Sequence, residues 1–527
     1  MTRQLPHQVD TVIVGSGPSA LILSYILHGN IPLYDLGSPH PDPILHNKLK
    51  NHIDLLTANV DHLTEHFYGS RFSYSTQALP VNVLLDTLIR PYGETDEAQR
   101  KTCVKWQYDP SRAVPHVVVG KNVHTGGQWA DNPVKASWDI GALSYAGMLS
   151  LPGYSFEEYY YSVHGEHAPF YLRPTRRDVA GYLARYPDMV GIQDAIFPNE
   201  SLSGISRHGD GFYIASHGLL CKHLVLASGT FTSLVPPRPL LQPLMELRPP
   251  TPAASKEPLL VVGSGFSAAD VILSAPSDQK IVHIYKWAPS TNPSPLRACH
   301  QDSYPEYAGV YRKMKLAALA SKKAKAEGRR PSNQRKPSQI DLSRDWNTSY
   351  EGLPNTAIVD VESHGDNAVV TLQTGDKPPF QRTVGSFAYV VGRRGSLDYL
   401  NQQLRQEVCH HVAQWSNVTG ATLRERVSED LEVTPGVFVT GSLTGDSLIR
   451  FGYGACAYAA GRIMAQQVQQ VQQVQPEECS FTWKVPACNG RSYPPAMNGL
   501  QGHEVRFFPE HRLPLDRRKS EICVEGS

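Results

Sequence analysis

The sequence predicts an α/β protein with two dinucleotide-binding, Rossmann-like domains, the second inserted in the first. Two glycine-rich turns of the same type carry this prediction, at residues 12–20 and 260–270. In each, a short apolar run precedes the pattern Gly-x-Gly-x-x-Ala and a helix-compatible segment follows it, as in the strand–turn–helix units that bind dinucleotides. A third observation is the strand-like run 436–441, which implies that the chain returns to the first domain after the second.

Each small residue of these turns has a physical role. The first glycine permits the tight turn, the second lets the backbone approach a pyrophosphate, and the third small residue lets the helix pack closely on the strand. The pyrophosphate then lies at the helix N-terminus, where unpaired N–H groups and the helix dipole favour an anion. The residues predicted to bind cofactors at the two turns are Gly15, Ser16, Gly17, Pro18, Ser19, Ala20, Gly263, Gly265, Ser267 and Ala268.

The residue after the next strand of each unit predicts which cofactor binds. Residues 1–36 are expected to form a βαβ unit, and Asp35 closes its second strand 20 residues after Gly15, where a carboxylate would bind ribose hydroxyls. In the second unit Lys286 follows the strand 281–285. A cation there suits a 2′-phosphate, which a carboxylate would repel. We therefore expect FAD at the first turn and NADPH at the second, although Lys286 equally fits a solvated lysine at a strand end.

The composition is that of an ordinary globular protein, with 41% hydrophobic and 19% charged residues. A net charge of +1 gives no electrostatic reason to expect nucleic acid or an anionic membrane as partner. The N-terminus has no signal-peptide run, and no apolar stretch is long enough for a membrane span. We expect an intracellular, cytoplasmic protein.

The cysteines exclude two further classes. Eight cysteines are scattered without a Cys-x-x-Cys pair, whereas flavoproteins that reduce disulfides need a close pair beside the flavin. Zinc-site spacing is also absent, so no metal is expected. A disulfide reductase and a metal enzyme are therefore disfavoured.

The domain boundaries follow from the turns and from changes in composition. We predict residues 1–250 as the first part of the FAD domain, 251–395 as the NADPH domain, 396–470 as the C-terminal part of the FAD domain, and 471–527 as a low-complexity, irregular tail. A basic insertion, residues 313–340, interrupts the NADPH domain and fits either a solvated insertion or a nuclear-localisation or anion-binding patch. Protein partners could bind this insertion or the tail. Thr175 and Asp178 have the spacing of a capping box and predict a helix start.

Several further stretches resemble class B flavin-dependent monooxygenases and, more closely, the oxidative stress-induced growth inhibitor family. The stretches are 15–20, 39–45, Gly126-Gly127-x-Trp129, 227–230, 304–307 and 445–451. The resemblance implies that Gly126, Gly127 and Trp129 line the flavin, and that Gly441 and Asp446 approach its ribityl or pyrophosphate part. Trp129 could instead be a core aromatic residue, and Asp446 a helix cap.

The predicted activity follows from the two cofactors. NADPH would reduce FAD, and O₂ would then form a C4a-(hydro)peroxyflavin that oxygenates a small molecule. The cofactor performs the difficult step, so no catalytic side chain is singled out. One alternative is an NADPH oxidase or flavin reductase without a dedicated substrate. Another is a growth or stress regulator that retains the fold and acts through partners.

Overall fold

The computed structural model describes residues 4–72, 74–93, 101–247, 257–326, 345–410 and 417–473, in a mixed α/β fold. The strands are β1 (Gln8–Val14), β2 (Asn30–Tyr34), β3 (Val104–Tyr108), β4 (His116–Gly120), β5 (Ile196–Pro198), β6 (Ile205–His208), β7 (Gly211–Ile214), β8 (Leu219–Leu226), β9 (Ser233–Leu234), β10 (Leu259–Val262), β11 (Ile281–Tyr285), β12 (Tyr350–Pro354), β13 (Thr356–His364), β14 (Asn367–Thr374), β15 (Phe380–Val384), β16 (Ser386–Tyr389), β17 (Arg393–Arg394), β18 (Glu432–Thr434) and β19 (Val437–Val439). The helices are α1 (Pro18–Leu27), α2 (Pro43–Leu49), α3 (Val60–Thr64), α4 (Pro80–Ile89), α5 (Ala146–Leu149), α6 (Phe156–His164), α7 (Arg176–Val190), α8 (Gln242–Met245), α9 (Phe266–Ser274), α10 (Pro305–Ala326), α11 (Trp346–Ser349), α12 (Gln402–Cys409), α13 (Arg424–Glu429) and α14 (Gly452–Gln473).

The larger sheet holds the first glycine turn. Its parallel strands run in the order β19, β8, β1, β4 and β5, and the antiparallel strands β18, β7 and β6 extend it. The central strands are apolar on both faces, and Val12, Ile13 and Val118 are fully buried, as expected of a parallel sheet covered on both sides. Helix α1 is buried from Ala20 to Leu27, so it lies inside the core and not on the surface.

The smaller sheet holds the second glycine turn. Its four strands β12, β11, β10 and β16 are all parallel. The antiparallel meander β13–β14–β15 packs on this sheet in one core cluster, and α9 and α10 pack with it in another. The two chain segments that connect the sheets run side by side, because β9 and β17 pair antiparallel.

The expected βαβ unit over residues 1–36 is wrong. Strand β2 pairs antiparallel with β3, whereas the parallel neighbour of β1 on this side is β4. Strand β2 contains Pro32, which has no N–H to donate to a ladder and therefore fits a central strand poorly. The run His116–Gly120 has no proline and is buried throughout. Residues 30–108, with α2, α3 and α4, are thus an insertion between α1 and β4, called the inserted segment below.

Other sequence predictions concern single helices and segments of the chain. The capping box is confirmed, because the Thr175 side chain accepts from the Asp178 N–H while the Asp178 carboxylate accepts from the Thr175 N–H. Among the described helices, none combines the length and the apolar character that a bilayer crossing requires. Residues 327–340 of the predicted basic insertion and 474–527 of the predicted tail lie outside the described residues.

Candidate cofactor site

A cavity of about 530 Å³ lies where the five parallel strands of the larger sheet end. Parallel sheets bind ligands at this carboxyl edge, and the volume is ordinary for a cofactor or small-molecule site. We call it the main cavity. Its lining comes from residues 14–19, 119–122, 127–129, 131, 133, 200–203, 227–232, 393, 396, 398–399, 441–442 and 446–449.

The first glycine of the first turn is required by the backbone. Gly15 has φ +116°, a region that residues with a Cβ rarely adopt. A Cβ at Gly15 would also lie 2.4 Å from the carbonyl oxygen of Ala227. The Gly15 N–H donates to the Val119 carbonyl at 2.8 Å, which ties the turn to β4. The fold alone therefore explains this glycine.

The second glycine is not required by the backbone. Gly17 has φ −77° and ψ 178°, which any residue adopts, and a Cβ there would meet no protein atom within 4 Å. Gly17 lines the main cavity at the N-terminus of α1, where no side chain caps the helix. Pro18 and Ser19 continue this wall. The space kept open beside Gly17, next to unpaired helix N–H groups, fits a pyrophosphate.

The predicted Gly126–Trp129 turn lies directly against the first turn. The Gly126 N–H donates to the Ser16 carbonyl at 2.8 Å. A Cβ at Gly127, which has φ +57°, would lie 3.2 Å from the Cα of Gly17. Trp129 lines the cavity and also packs on the main core, so the cofactor-lining role and the core role are compatible. Gly126 supports the wall without lining it, and Ala20 is fully buried behind it.

Asp35 lies outside the main cavity, because the strand it closes is not part of the larger sheet. Its carboxylate accepts from the Gly37 N–H at 3.0 Å, and its own N–H donates to the Cys103 carbonyl. The structure therefore corrects the predicted role of Asp35, because it does not bring this carboxylate to the cavity where the ribose was expected. The strand next to β1 ends at Gly120, where a Cβ would lie 2.3 Å from the Ser16 hydroxyl oxygen. The expected carboxylate is absent from that position.

Asp446 lines the main cavity, and its carboxylate is also engaged with the protein. Oδ2 accepts from the Leu79 N–H at 2.9 Å and from Asn82 Nδ2 at 2.7 Å, and Oδ1 accepts from Arg424 Nη1 at 2.8 Å. Leu79 is the residue before helix α4, so this carboxylate attaches the start of α4 to the cavity wall. Gly441, with φ +66°, lines the cavity, and a Cβ there would lie 2.8 Å from the Ser19 hydroxyl.

The second turn repeats the division of roles seen in the first. Gly263 has φ +154°, and its Cβ would lie 2.4 Å from the Val390 carbonyl oxygen, so the backbone requires glycine. Gly265 has φ −105°, and the nearest atom to its Cβ would be Pro295 Cγ at 3.8 Å. Glycine at this second position again leaves room for a ligand at the start of α9. Ala268 is buried against the core.

Lys286 lies directly after β11, the strand beside β10, and is exposed. This is the place the sequence predicted for a cation. The loop that follows is attached to the second turn, because the Ser294 hydroxyl donates to the Ser264 carbonyl at 2.5 Å. Ser267 is half-buried in the first turn of α9. Gly263, Gly265, Ser267, Ala268 and Lys286 do not line the main cavity.

Two of the stretches that carried the family resemblance contact helix α4 of the inserted segment. In residues 39–45, His40 Nε2 contacts Thr87 Oγ1 of α4 at 3.0 Å, and burial lowers the pKa of His40 to about 4. In residues 445–451, Arg450 pairs with Asp86 of α4, with Nη2 and Oδ2 2.5 Å apart. Asp446 and Arg450 thus attach α4 to the segment between β19 and α14, whereas the contact of His40 with Thr87 lies within the inserted segment.

The stretch 304–307 joins the two sheets. It begins α10, and Arg173 reaches it from the segment before α7, with Nη2 2.6 Å from Glu306 Oε1. The Arg173 guanidinium also lies 4.6 Å from the centre of the Tyr304 ring, and the Tyr304 hydroxyl donates to the Leu143 carbonyl at 3.0 Å. We call these contacts the Arg173 clamp. No local pattern in the sequence indicated the pairing of Arg173 with Glu306, because the two residues are far apart in the chain.

The structure adds lining residues that the motifs did not indicate. Arg393 donates through Nε to the Phe231 carbonyl at 2.8 Å and through Nη2 to the Thr232 carbonyl at 3.1 Å. Burial lowers the pKa of this guanidinium, which remains charged at neutral pH. Glu200 lines the wall after β5. An acid two residues after the short apolar run Ile196–Pro198 was the only local signal for it.

The described cysteines are not arranged for disulfide chemistry. Cys103, Cys221, Cys299, Cys409 and Cys456 are all free thiols, and burial raises the pKa of each. A redox-active thiol needs the opposite shift. In the same described ranges, no group of three or more His, Cys, Asp or Glu side chains could hold a metal ion.

Comparisons with known proteins agree with the resemblance stated above. No protein-family model matches the chain. Over 502 residues the chain is 26% identical to the mouse oxidative stress-induced growth inhibitor 1, covering 88% of this chain and 96% of the relative. It is 28% identical over 352 residues to the human protein of that name, covering 59% of this chain and 70% of the relative.

Solved flavoproteins are similar at lower identity. A flavin-containing monooxygenase from Stenotrophomonas maltophilia is 13% identical, with 88% of this chain and 99% of that chain covered and a TM-score of 0.45. A bacillithiol disulfide reductase from Staphylococcus aureus is 11% identical, with 88% and 100% covered and a TM-score of 0.45. The sequence relatives confirm the predicted resemblance, since the curated homologues of this chain are oxidative stress-induced growth inhibitors.

Proposed function

We propose that the protein is a flavin-dependent oxidoreductase that holds FAD at the first glycine turn and NADPH at the second, and that it oxygenates a small molecule with O₂. The observation that carries this proposal is the contrast between the two glycines of each turn. Gly15 and Gly263 are required by the backbone, whereas Gly17 and Gly265 leave space that no protein atom occupies. Glycine is also a favourable N-cap residue at both positions, and the room left beside each is what the close approach of a dinucleotide pyrophosphate needs.

The residues of the main cavity fit FAD. The N-terminus of α1 offers unpaired N–H groups to the pyrophosphate beside Gly17. Trp129, Phe231 and Leu448 supply apolar wall for a flat ring system, and Arg393 adds a fixed positive charge near it. When bound, FAD supplies the electron transfer from NADPH to O₂. The chain orients the cofactor, shields it from water and fixes the charges around it.

A second cofactor is favoured by the repetition of this arrangement in the smaller sheet. Gly265 keeps space open at the N-terminus of α9, and Lys286 places a cation after the neighbouring strand, where a 2′-phosphate would need one. The described thiols are single and have raised pKa values. This favours O₂ over a disulfide as the acceptor of the electrons.

The test is anaerobic reduction of the purified full chain by NADPH. We expect a yellow protein whose oxidised-flavin absorbance is bleached by NADPH and restored by O₂, with NADPH consumption coupled to an oxygenated product. Gly265→Ala is the matched variant, because its methyl group would enter the second site and leave the main cavity unchanged. It should retain FAD and lose bleaching by NADPH.

Each other outcome identifies an alternative. Bleaching by NADPH with all of the electrons recovered as hydrogen peroxide would indicate an NADPH oxidase without a dedicated substrate. A colourless protein that binds no added FAD would refute the flavoenzyme and favour a regulator that acts through partners.

A further inference from the structure

The main cavity lacks a carboxylate at the position where Rossmann-like sites usually bind ribose. That position is the end of the strand beside β1, and here it is Gly120. The Ser16 side chain fills the space next to it, since a Cβ at Gly120 would lie 2.6 Å from Ser16 Cβ. A longer residue therefore does not fit there without moving the first glycine turn. The ribose hydroxyls of a cofactor in this cavity must find their acceptor elsewhere.

Backbone hydrogen bonds hold Glu200 next to this position. Its N–H donates to the Gly120 carbonyl at 3.0 Å, and the N–H of the preceding Asn199 donates to the Asn122 carbonyl at 2.9 Å. These two bonds continue the pairing of β4 with β5, in which Gly120 lies opposite Pro198. The pairing thus places Glu200, which follows β5, beside the end of β4.

One oxygen of the Glu200 carboxylate contacts a protein side chain, and the other is available to a ligand. His217 Nε2 lies 3.2 Å from Glu200 Oε2, while Oε1 accepts no hydrogen bond from the described residues. The side chain is 46% exposed, so a ligand in the cavity can reach it without a buried charge first being desolvated. A carboxylate with one oxygen held and one open is suited to accept from a hydroxyl pair.

The other carboxylates that line the main cavity are less suited. Both oxygens of Asp398 are occupied, by the Ser396 hydroxyl at 2.6 Å and by Arg405 Nη1 at 2.8 Å. Asp446 is occupied in the same way by the contacts described above. Asp131 follows the Gly126–Trp129 turn, and its charge acts on Arg393. Glu200 is the carboxylate beside the end of β4.

We propose that Glu200 is the residue that binds the adenosine ribose hydroxyls of the cofactor in the main cavity, in place of the missing acid at Gly120, with His217 positioning its carboxylate. The inference rests on the proposed function, because it takes FAD as the occupant. The negative charge would also disfavour a 2′-phosphate at this end of the cavity. This makes the main cavity a site for FAD and not for NADPH.

The test titrates the full-length apoprotein with FAD and with an FAD analogue that lacks the adenosine 2′-hydroxyl. We expect wild type to bind the analogue about tenfold more weakly than FAD, as for the loss of a hydrogen bond to a charged group. Glu200→Ala should bind FAD about tenfold more weakly and should no longer distinguish the two ligands. Asp35→Asn, which changes the acid predicted from the sequence, should bind both ligands as wild type does.

The outcomes separate this inference from the proposed function. If wild type binds FAD and Glu200→Ala binds it equally well, or still distinguishes the analogue, the assignment of Glu200 is overturned while the flavoprotein stands. If wild type binds neither ligand, the proposed function falls and the inference falls with it. Thermal unfolding of the apoproteins controls for folding, since a half-exposed carboxylate should alter stability little.

Discussion

Replacing the glycines of the first turn one at a time should separate the needs of the fold from those of the ligand. In Gly17→Ala, the added methyl group meets no protein atom within 4 Å, and the backbone at φ −77° accepts alanine. Alanine is a poorer N-cap than glycine. It also raises the unfolding free energy by about 0.4–1 kcal/mol, because it reduces the conformational entropy of the unfolded chain. Since these effects oppose each other, the apoprotein should unfold within about 1 kcal/mol of wild type.

The same methyl group should weaken FAD binding strongly. It would occupy the space beside the N-terminus of α1 in which the pyrophosphate is expected. Loss of close contact between the backbone and the phosphates should weaken FAD binding by at least about tenfold, which corresponds to roughly 1.4 kcal/mol. FAD fluorescence titration of the apoprotein measures this change, and urea unfolding of the same samples measures stability.

Gly15→Ala is the matched control, and we expect the opposite pattern. Its backbone at φ +116° is strained for alanine, and the methyl group would lie 2.4 Å from the Ala227 carbonyl oxygen. Backbone strain and overpacking together should cost roughly 2–6 kcal/mol of unfolding free energy. A Gly17→Ala protein that binds FAD as tightly as wild type, or one that unfolds as readily as Gly15→Ala, would refute the reasoning.

Two further predictions concern the interface and the buried histidines. Arg173→Ala should lower the unfolding free energy by about 2–4 kcal/mol and slow the reduction of flavin by NADPH, because the Arg173 clamp joins the two sheets. Arg177→Ala, which removes an exposed pair with Asp139, should change neither quantity measurably, and equal effects of the two variants would contradict the role of the clamp. Burial lowers the pKa to about 4 for three histidines, namely His40, His116 and His283. Since their pKa values in the unfolded chain are about 6.5, the unfolded state binds more protons between these values, and the unfolding free energy should fall as pH drops from about 6.5 to about 4, by up to about 1.4 kcal/mol per pH unit for each histidine. Urea unfolding at several pH values measures this, and a flat profile between pH 6.5 and 5 would contradict the prediction.

Local patterns predicted the parts of the site that neighbouring residues build. The two glycine turns lie between a strand and a helix, and the α7 capping box is present with both hydrogen bonds. Gly127, Trp129 and Gly441 line the same cavity as the first turn. The two turns and the capping box could be predicted because each depends on steric demands or hydrogen bonds within a few residues of chain, whereas Gly127, Trp129 and Gly441 were implied by the family resemblance.

Long-range pairing could not be predicted in the same way. Leu33–Asp35 matched the spacing of a second strand, yet β4 takes the place beside β1. Pro32 was a local sign against a central position for this strand, because a residue without an N–H fits an edge strand better than the centre of a sheet. The clamp between Arg173 and Glu306 had no such local sign, because its partners meet only when the two sheets come together.

The sequence by itself determined where the two glycine turns lie, because a short apolar run followed by closely spaced glycines is a pattern of a few consecutive residues. The tertiary structure alone decided which strand lies beside β1, and therefore which acid lies at the cavity beside the end of that strand. Asp35 has the expected spacing in the chain but lies outside the main cavity, whereas Glu200 is brought to the end of β4 by its hydrogen bond to Gly120. The physical reason is that ladder hydrogen bonds join distant segments, and only folding selects among strands of similar composition.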